Sequence, residues 1–199
     1  YIYNTLASVK WLIWQGDKEK SVQVIDAFIQ LLRNTISNKN EFITLKEEIE
    51  NLKNYVLINQ IRYGNQVNVD FYVTPDCEEQ KVPKLILQPF VENSIRHGLH
   101  GSKKEPLLII TGELENGMLR VKIEDNGKGM PEETVTILNQ PDYHREDHFG
   151  VENVRKRLRL YYGEAASVLF ESRPSKYTRV TLCIPVMEEK KIENCDSGR

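Results

Sequence analysis

Cysteine is scarce, with three residues in 199, Cys77, Cys183 and Cys195, odd in number and far apart. They provide neither a disulfide framework nor a zinc-ligand cluster, and such a chain suits a reducing compartment. No apolar run approaches the roughly 18–20 residues that cross a bilayer, and nothing at the start has the layout of a signal peptide. Excess charge of one sign is lacking too. Lys and Arg number 27 against 29 Asp and Glu, a net charge of -2. This balance offers no concentrated basic face, so nucleic acid is not an expected partner. What is present is an ordinary globular mixture, 40% hydrophobic and 28% charged, able to bury a core. The first residue is Tyr1, with helical periodicity already running, so the chain reads as a piece of a longer protein.

From Ile2 the apolar residues Leu6, Val9 and Ile13 recur at helical spacing until Gly16-Asp17 breaks the pattern. A second stripe, Ile25, Phe28, Ile29, Leu32 and Ile36, predicts a second helix packed on the first. Thr44 and Glu47 have the spacing of a capping box. Leu45, Ile49, Leu52, Val56, Asn59 and Tyr63 then form a heptad-like seam that suits a bundle, a dimer or a helix lying on its own domain. After Gly64 the period changes to two, with Val67, Val69, Phe71 and Val73 predicting a strand. Pro83 fits the first turn of a helix over Leu85–Gly98. Leu107–Leu114 and Met118–Glu124 flank Glu115-Asn116-Gly117 as a β-hairpin. A short helix over Pro131–Leu138, a polar segment over Gln140–His148 with the character of a mobile lid, a helix over Val151–Tyr162 and two strands complete the domain.

Three polar clusters make chemical sense. In Glu92-Asn93-Ser94-Ile95-Arg96-His97-Gly98, Asn93 and His97 stand four apart on one helix face, and an amide oxygen is a suitable hard ligand for magnesium. Glu92 is either a general base or the ion-pair partner of Arg96, and His97 either lines a cleft or caps its own helix end. In Asp125-Asn126-Gly127-Lys128-Gly129, the Asp125 carboxylate can accept a hydrogen bond from an exocyclic amine. Gly127 and Gly129 let the backbone approach a ligand closely. Phe149-Gly150-Val151-Glu152-Asn153 opens a helix whose free first-turn amides favour phosphate.

In order and spacing these clusters resemble the N, G1 and G2 boxes of the Bergerat ATP-binding family of histidine kinases, gyrase-type ATPases and Hsp90-type chaperones. The resemblance implies ATP and Mg2+ as cofactors, Glu92 and Asn93 as catalytic residues and Asn93 as metal ligand. It implies nucleotide contacts from Asn93, Arg96, His97, Asp125, Gly127, Gly129, Met130, Gly150, Val151, Asn153 and Thr178. Two glycines of the family pattern are replaced: His148 stands at the first G2 glycine, and Tyr177 precedes Thr178 where a Gly-Thr pair is usual. The first half is more exact. Tyr1-Ile2-Tyr3-Asn4-Thr5-Leu6, Phe42-Ile43-Thr44-Leu45-Lys46-Glu47-Glu48 and Leu87-Gln88-Pro89-Phe90-Val91-Glu92-Asn93 resemble LytS/YehU-type sensor histidine kinases.

That resemblance implies a phosphoacceptor histidine directly before Tyr1, so the chain as given is expected to bind ATP but not to autophosphorylate. It also implies a homodimer through the N-terminal helices, a response-regulator receiver domain as partner, and a parent anchored in a bacterial membrane with this region in the cytoplasm. The expected fold is α+β. A helical hairpin or bundle over 1–64 is followed by a Bergerat-type α/β sandwich over 65–187, a mixed sheet covered on one face by helices, and a disordered tail over 188–199. The alternatives are a Bergerat-type ATPase or ATP-gated interaction module without phosphohistidine chemistry, and a structural helical dimer with a degenerate pocket.

Overall fold

A computed structural model describes residues 2–36, 40–63, 67–99, 105–140 and 149–187. The expected lid over 141–148 with His144 and His148, the residue His100, and the tail 188–199 lie outside the described residues. The chain forms two units, one of Tyr1–Asn40 with Ile49–Gln66, the other of Glu41–Glu48 with the chain from Val67 onward.

In the first unit, α1 (Ile2–Trp14) and α2 (Lys18–Ile36) lie against each other. Gly16 takes φ +78 between them, and the Asp17 amide bonds back to the Leu12 carbonyl at 3.0 Å, a glycine-ended helix terminus. The Asp17 carboxylate then accepts the Lys20 N–H at 3.1 Å, starting α2. Val9, Leu12, Val24, Ala27, Phe28 and Leu31 are buried. The sequence stripe on α2 is split: Phe28 is core, but Ile25 and Ile29 stay exposed, and so do Val22 on α2 and Leu6, Ile13 and Trp14 on α1. On α3 (Leu45–Tyr63), Asn51 Oδ1 accepts from the Asn34 amide of α2. Among the described residues no helix is long and apolar enough to cross a membrane.

The second unit begins with β1 (Phe42–Thr44) and the first turn of α3. The capping box is formed: the Thr44 amide donates to Glu47 Oε2 at 2.7 Å, and the Glu47 amide donates to Thr44 Oγ1 at 3.1 Å. The strand β2 (Asn68–Val73) and the short helix α4 (Pro75–Glu78) follow, then β3 (Lys81–Pro83), which pairs antiparallel with β1. Here the structure corrects the reading of Pro83. It ends a strand instead of starting a helix, and α5 begins at Gln88 with Pro89 in its first turn. The predicted helix over Leu85–Gly98 is therefore shorter and changes type, running as α5 (Gln88–Asn93) and then as a π-helical turn over Ser94–Gly98. Leu85, at φ 57, makes the bend before it.

The main sheet holds β4 (Leu107–Glu115), β5 (Met118–Asp125), β6 (Ser167–Arg173) and β7 (Tyr177–Pro185) with β2, in the order β2-β4-β5-β7-β6. Only β2 and β4 are parallel. Asn116 and Gly117, at φ 52 and 74, make the two-residue turn of the predicted hairpin. Strand alternation puts Leu108, Ile110, Leu119, Val121, Ile123, Val180 and Leu182 in the core with Leu138 of α6 (Glu132–Leu138) and Val151, Val154 and Leu158 of α7 (Phe149–Tyr162). The opposite face carries polar pairs such as Lys122–Glu113 and Arg179–Glu124. The expected α+β class, a mixed sheet with helices on one face, is the observed one.

Candidate nucleotide site

The focus of the second unit is the end of β5. Asp125 is 1% exposed, an expensive place for a carboxylate unless donors meet it. Both oxygens are met: Ser94 Oγ donates to Oδ2 at 2.9 Å and the Gly127 amide donates to Oδ1 at 3.0 Å. Burial raises its pKa above the usual aspartate value, with the Ser94 and Gly127 bonds pulling it back and the Glu124 charge adding to the rise. Each oxygen keeps a lone pair for a ligand donor.

Glycines make this arrangement sterically possible. A Cβ at Gly98 would stand 2.7 Å from Asp125 Oδ1, and one at Gly127 would stand 2.1 Å from the Gly98 carbonyl oxygen. That carbonyl accepts the Lys128 amide at 3.0 Å, locking the π turn to the glycine loop. Gly129, at φ +63, lies so close to β6 that a Cβ would meet the Arg173 carbonyl at 2.0 Å. Beyond it the Met130 amide donates to Ser172 Oγ at 2.8 Å.

Asp125 lies at the floor of a cleft that opens to solvent. Phe90, Leu138, Val151, Phe170 and Val180 supply apolar walls, and Asn93, Ser94, His97, Lys128 and Thr178 supply polar groups. Strand register sets Thr178 directly opposite Asp125. An apolar slot with a buried anionic acceptor at its end suits a flat ring carrying an amine. Among the described residues the Asn93 amide makes no hydrogen bond, so its oxygen is available to a cation in the cleft. No group of three or more His, Cys, Asp or Glu that could hold a metal occurs among those residues.

Of the residues singled out from sequence, Asn93, His97, Asp125, Gly129, Met130, Val151 and Thr178 line this cleft. Gly127 stands behind Asp125. Glu92 and Arg96 are not among the residues that line it and pair with each other at 3.1 Å. Gly150 is packed near Pro89, where a Cβ would come within 3.1 Å of the proline Cβ, and Asn153 is exposed on α7.

The description "Histidine kinase" matches residues 1–67, and "Histidine kinase-, DNA gyrase B-, and HSP90-like ATPase" matches residues 78–188, more than half of the chain. The chain belongs to the histidine kinase-, DNA gyrase B- and HSP90-like ATPase family. It is similar to Sensor histidine kinase YesM of Bacillus subtilis, 27% identical over 95% of this chain and 32% of that protein. Sensor histidine kinase BtsS of Escherichia coli is 29% identical over the same shares. Sensor protein LytS of Staphylococcus saprophyticus is 29% identical over 98% of this chain and 33% of LytS. The chain spans about a third of the length of these relatives. Its fold is that of the catalytic domain of histidine kinase ThkA (TM-score 0.55, 21% identity, 74% of this chain and 97% of that one). The histidine kinase domain of the Erythrobacter litoralis blue-light activated kinase is similar at TM-score 0.56, with 19% identity over 90% and 86%.

Three residues that sequence reasoning gave no role hold the site together. Ser94 orients Asp125, and Ser172 ties β6 to the glycine loop. Glu48 accepts the Leu85 and Leu87 amides at 3.0 Å each, holding the bend that starts α5. Ser94 and Glu48 both sit inside motifs noted in the sequence, but nothing there assigns their hydrogen-bond partners; Ser172 carries no local signal.

Proposed function

We propose that this chain is the catalytic region of a two-component sensor histidine kinase. In this reading it binds Mg-ATP in the cleft, transfers the γ-phosphoryl group to a histidine, and the group then passes to a response-regulator aspartate. The observation that carries the reading is the convergence of Asp125, Thr178, the Gly129 loop and the unengaged Asn93 on one apolar slot. Asp125 accepts from the adenine amine, Phe90, Leu138, Val151 and Phe170 exclude water from the ring, and Asn93 gives its amide oxygen to magnesium. Held there by Asn93, a magnesium ion would supply positive charge to offset that of the phosphates. Lys128 and His97, exposed along the same cleft, face the polyphosphate end, and Glu92 keeps Arg96 oriented on the rim. A helical region over 1–64 and an ATP-binding domain over 65–187 divide the labour, and the rest of the protein anchors it to the bacterial membrane.

The exposed row of Val22, Ile25 and Ile29, spaced three and four residues apart, supports a homodimer through the N-terminal helices. The same helices present the regulator's docking surface. The deciding experiment is calorimetry of the purified chain with ATP, with and without Mg2+. Heat of binding that is strengthened by the metal is expected. No heat, together with no displacement of a fluorescent ATP analogue at millimolar nucleotide, removes the proposal.

A further inference from the structure

Ser172, at the end of the edge strand β6, is a three-way junction. The Met130 amide donates to its Oγ at 2.8 Å, the Tyr177 carbonyl accepts from it at 2.7 Å, and Thr178 Oγ1 stands 3.2 Å away. A serine hydroxyl has one proton and two lone pairs. An amide N–H can only give and a carbonyl can only accept, so the Ser172 proton goes to Tyr177 and one lone pair goes to Met130. Contact with Thr178 is then a hydrogen bond only if Thr178 is the donor. The single Thr178 proton points along the sheet toward Ser172, and its lone pairs are what remain for the cleft.

The strand register gives this a chemical consequence. Asp125, Thr178 and Ser172 form one row across β5, β7 and β6, with Asp125 opposite Thr178 and Thr178 opposite Ser172. Both Asp125 oxygens already receive protons from Ser94 and Gly127. Asp125 and Thr178 therefore face the cleft with acceptors.

We propose that Ser172 is a positioning residue that sets base selectivity, holding the Thr178 proton so that the cleft takes a purine with an exocyclic amine and refuses one with a carbonyl at the same position. This rests on the adenine-nucleotide reading of the cleft. A site whose buried polar groups are all of one kind discriminates strongly, because the wrong ligand leaves them unpaired.

The test compares ATP with ITP, in which a carbonyl replaces the amine, by competition against a fluorescent ATP analogue. In Ser172→Ala the Thr178 hydroxyl is free to turn and donate to the carbonyl. The ATP-to-ITP affinity ratio is then expected to fall about tenfold, the worth of one hydrogen bond, largely through tighter ITP. Ser172→Thr, which keeps the hydroxyl, is expected to keep the wild-type ratio. Equal weakening of both nucleotides, or an unchanged ratio, overturns the inference and leaves Ser172 a structural staple. Wild-type protein that binds neither nucleotide overturns the adenine-nucleotide reading itself. Should Ser172→Ala fail to fold, NMR of the wild-type Thr178 hydroxyl proton decides. Proximity to the Ser172 side chain supports the inference, and proximity to a bound base overturns it.

Discussion

Replacing Glu48 by alanine removes the acceptor for two backbone amides and leaves a space where a carboxylate was. Glu48 is fully buried; Oε1 takes the Leu87 N–H and Oε2 the Leu85 N–H, each at 3.0 Å. Leu85 is in the left-handed region at φ 57, so this bend carries strain that the two bonds offset. A buried donor without a partner costs roughly 1–3 kcal/mol, which applies in full to the Leu87 amide and in part to the half-buried Leu85 amide, about 2–4 kcal/mol together. Part is recovered because a desolvated carboxylate is itself expensive. A net loss of about 3 kcal/mol is expected, a fall in Tm of roughly 6–12 °C for a protein of this size. Thermal unfolding followed by circular dichroism measures it, and the Leu85 and Leu87 amides should exchange with solvent much faster in the variant.

Burial pushes the Glu48 pKa up, while the bonds from Leu87, Leu85 and Ile86 and the charge of Arg157 pull it back. A raised folded-state pKa means that the stabilising contribution is complete below the ordinary glutamate value of about 4.3 and is lost as pH rises through the raised value. The stability advantage of the wild type over Glu48→Gln should therefore narrow as pH increases from about 4. A loss below about 1 kcal/mol in Glu48→Ala, or unchanged exchange at Leu85 and Leu87, would refute the clamp.

Gly127→Ala should abolish nucleotide binding or folding, because its Cβ would stand 2.1 Å from the Gly98 carbonyl; Gly117→Ala, with nothing within 4 Å, should cost only about 1 kcal/mol and leave affinity intact. Both are read by melting and titration. Nucleotide affinity should fall as pH drops through the raised Asp125 pKa, since protonation removes an acceptor, and Asp125→Asn should give a flat profile. The contribution of Asp125 to folding runs the other way, complete at low pH and lost as pH rises through that value. Ile29→Glu, on the exposed row of α2, should convert a dimer to a monomer in light scattering without changing ATP affinity; a variant that remains dimeric would exclude this row from the interface.

Much of the architecture was legible because its causes are local. Gly16-Asp17 ends one helix and starts the next, Thr44 and Glu47 cap α3, and Asn116-Gly117 dictates a two-residue hairpin. Each depends on the backbone freedom or side-chain reach of residues within three or four positions. The family resemblance also gathered Asn93, Asp125, Gly129 and Thr178 as one candidate site, and the fold brings them to one cleft.

Other features were decided only in three dimensions. Pro83 suits a helix start by its own chemistry, yet pairing with Phe42 forty-one positions earlier makes it the end of β3, since sheet partners outweigh a local preference. Glu92 reads in the sequence as a base or as a partner for Arg96, and only the fold shows that the two side chains meet at 3.1 Å. Gly150 reads in the sequence as the start of a phosphate-binding helix, and only the fold shows that it packs near Pro89. Ser94, Ser172 and Glu48 act on atoms 31, 42 and 39 positions away, and a hydrogen bond across that separation leaves no pattern along the chain. Local spacing determined which groups were available for the chemistry, and long-range packing determined which of their protons and lone pairs were left to meet a ligand.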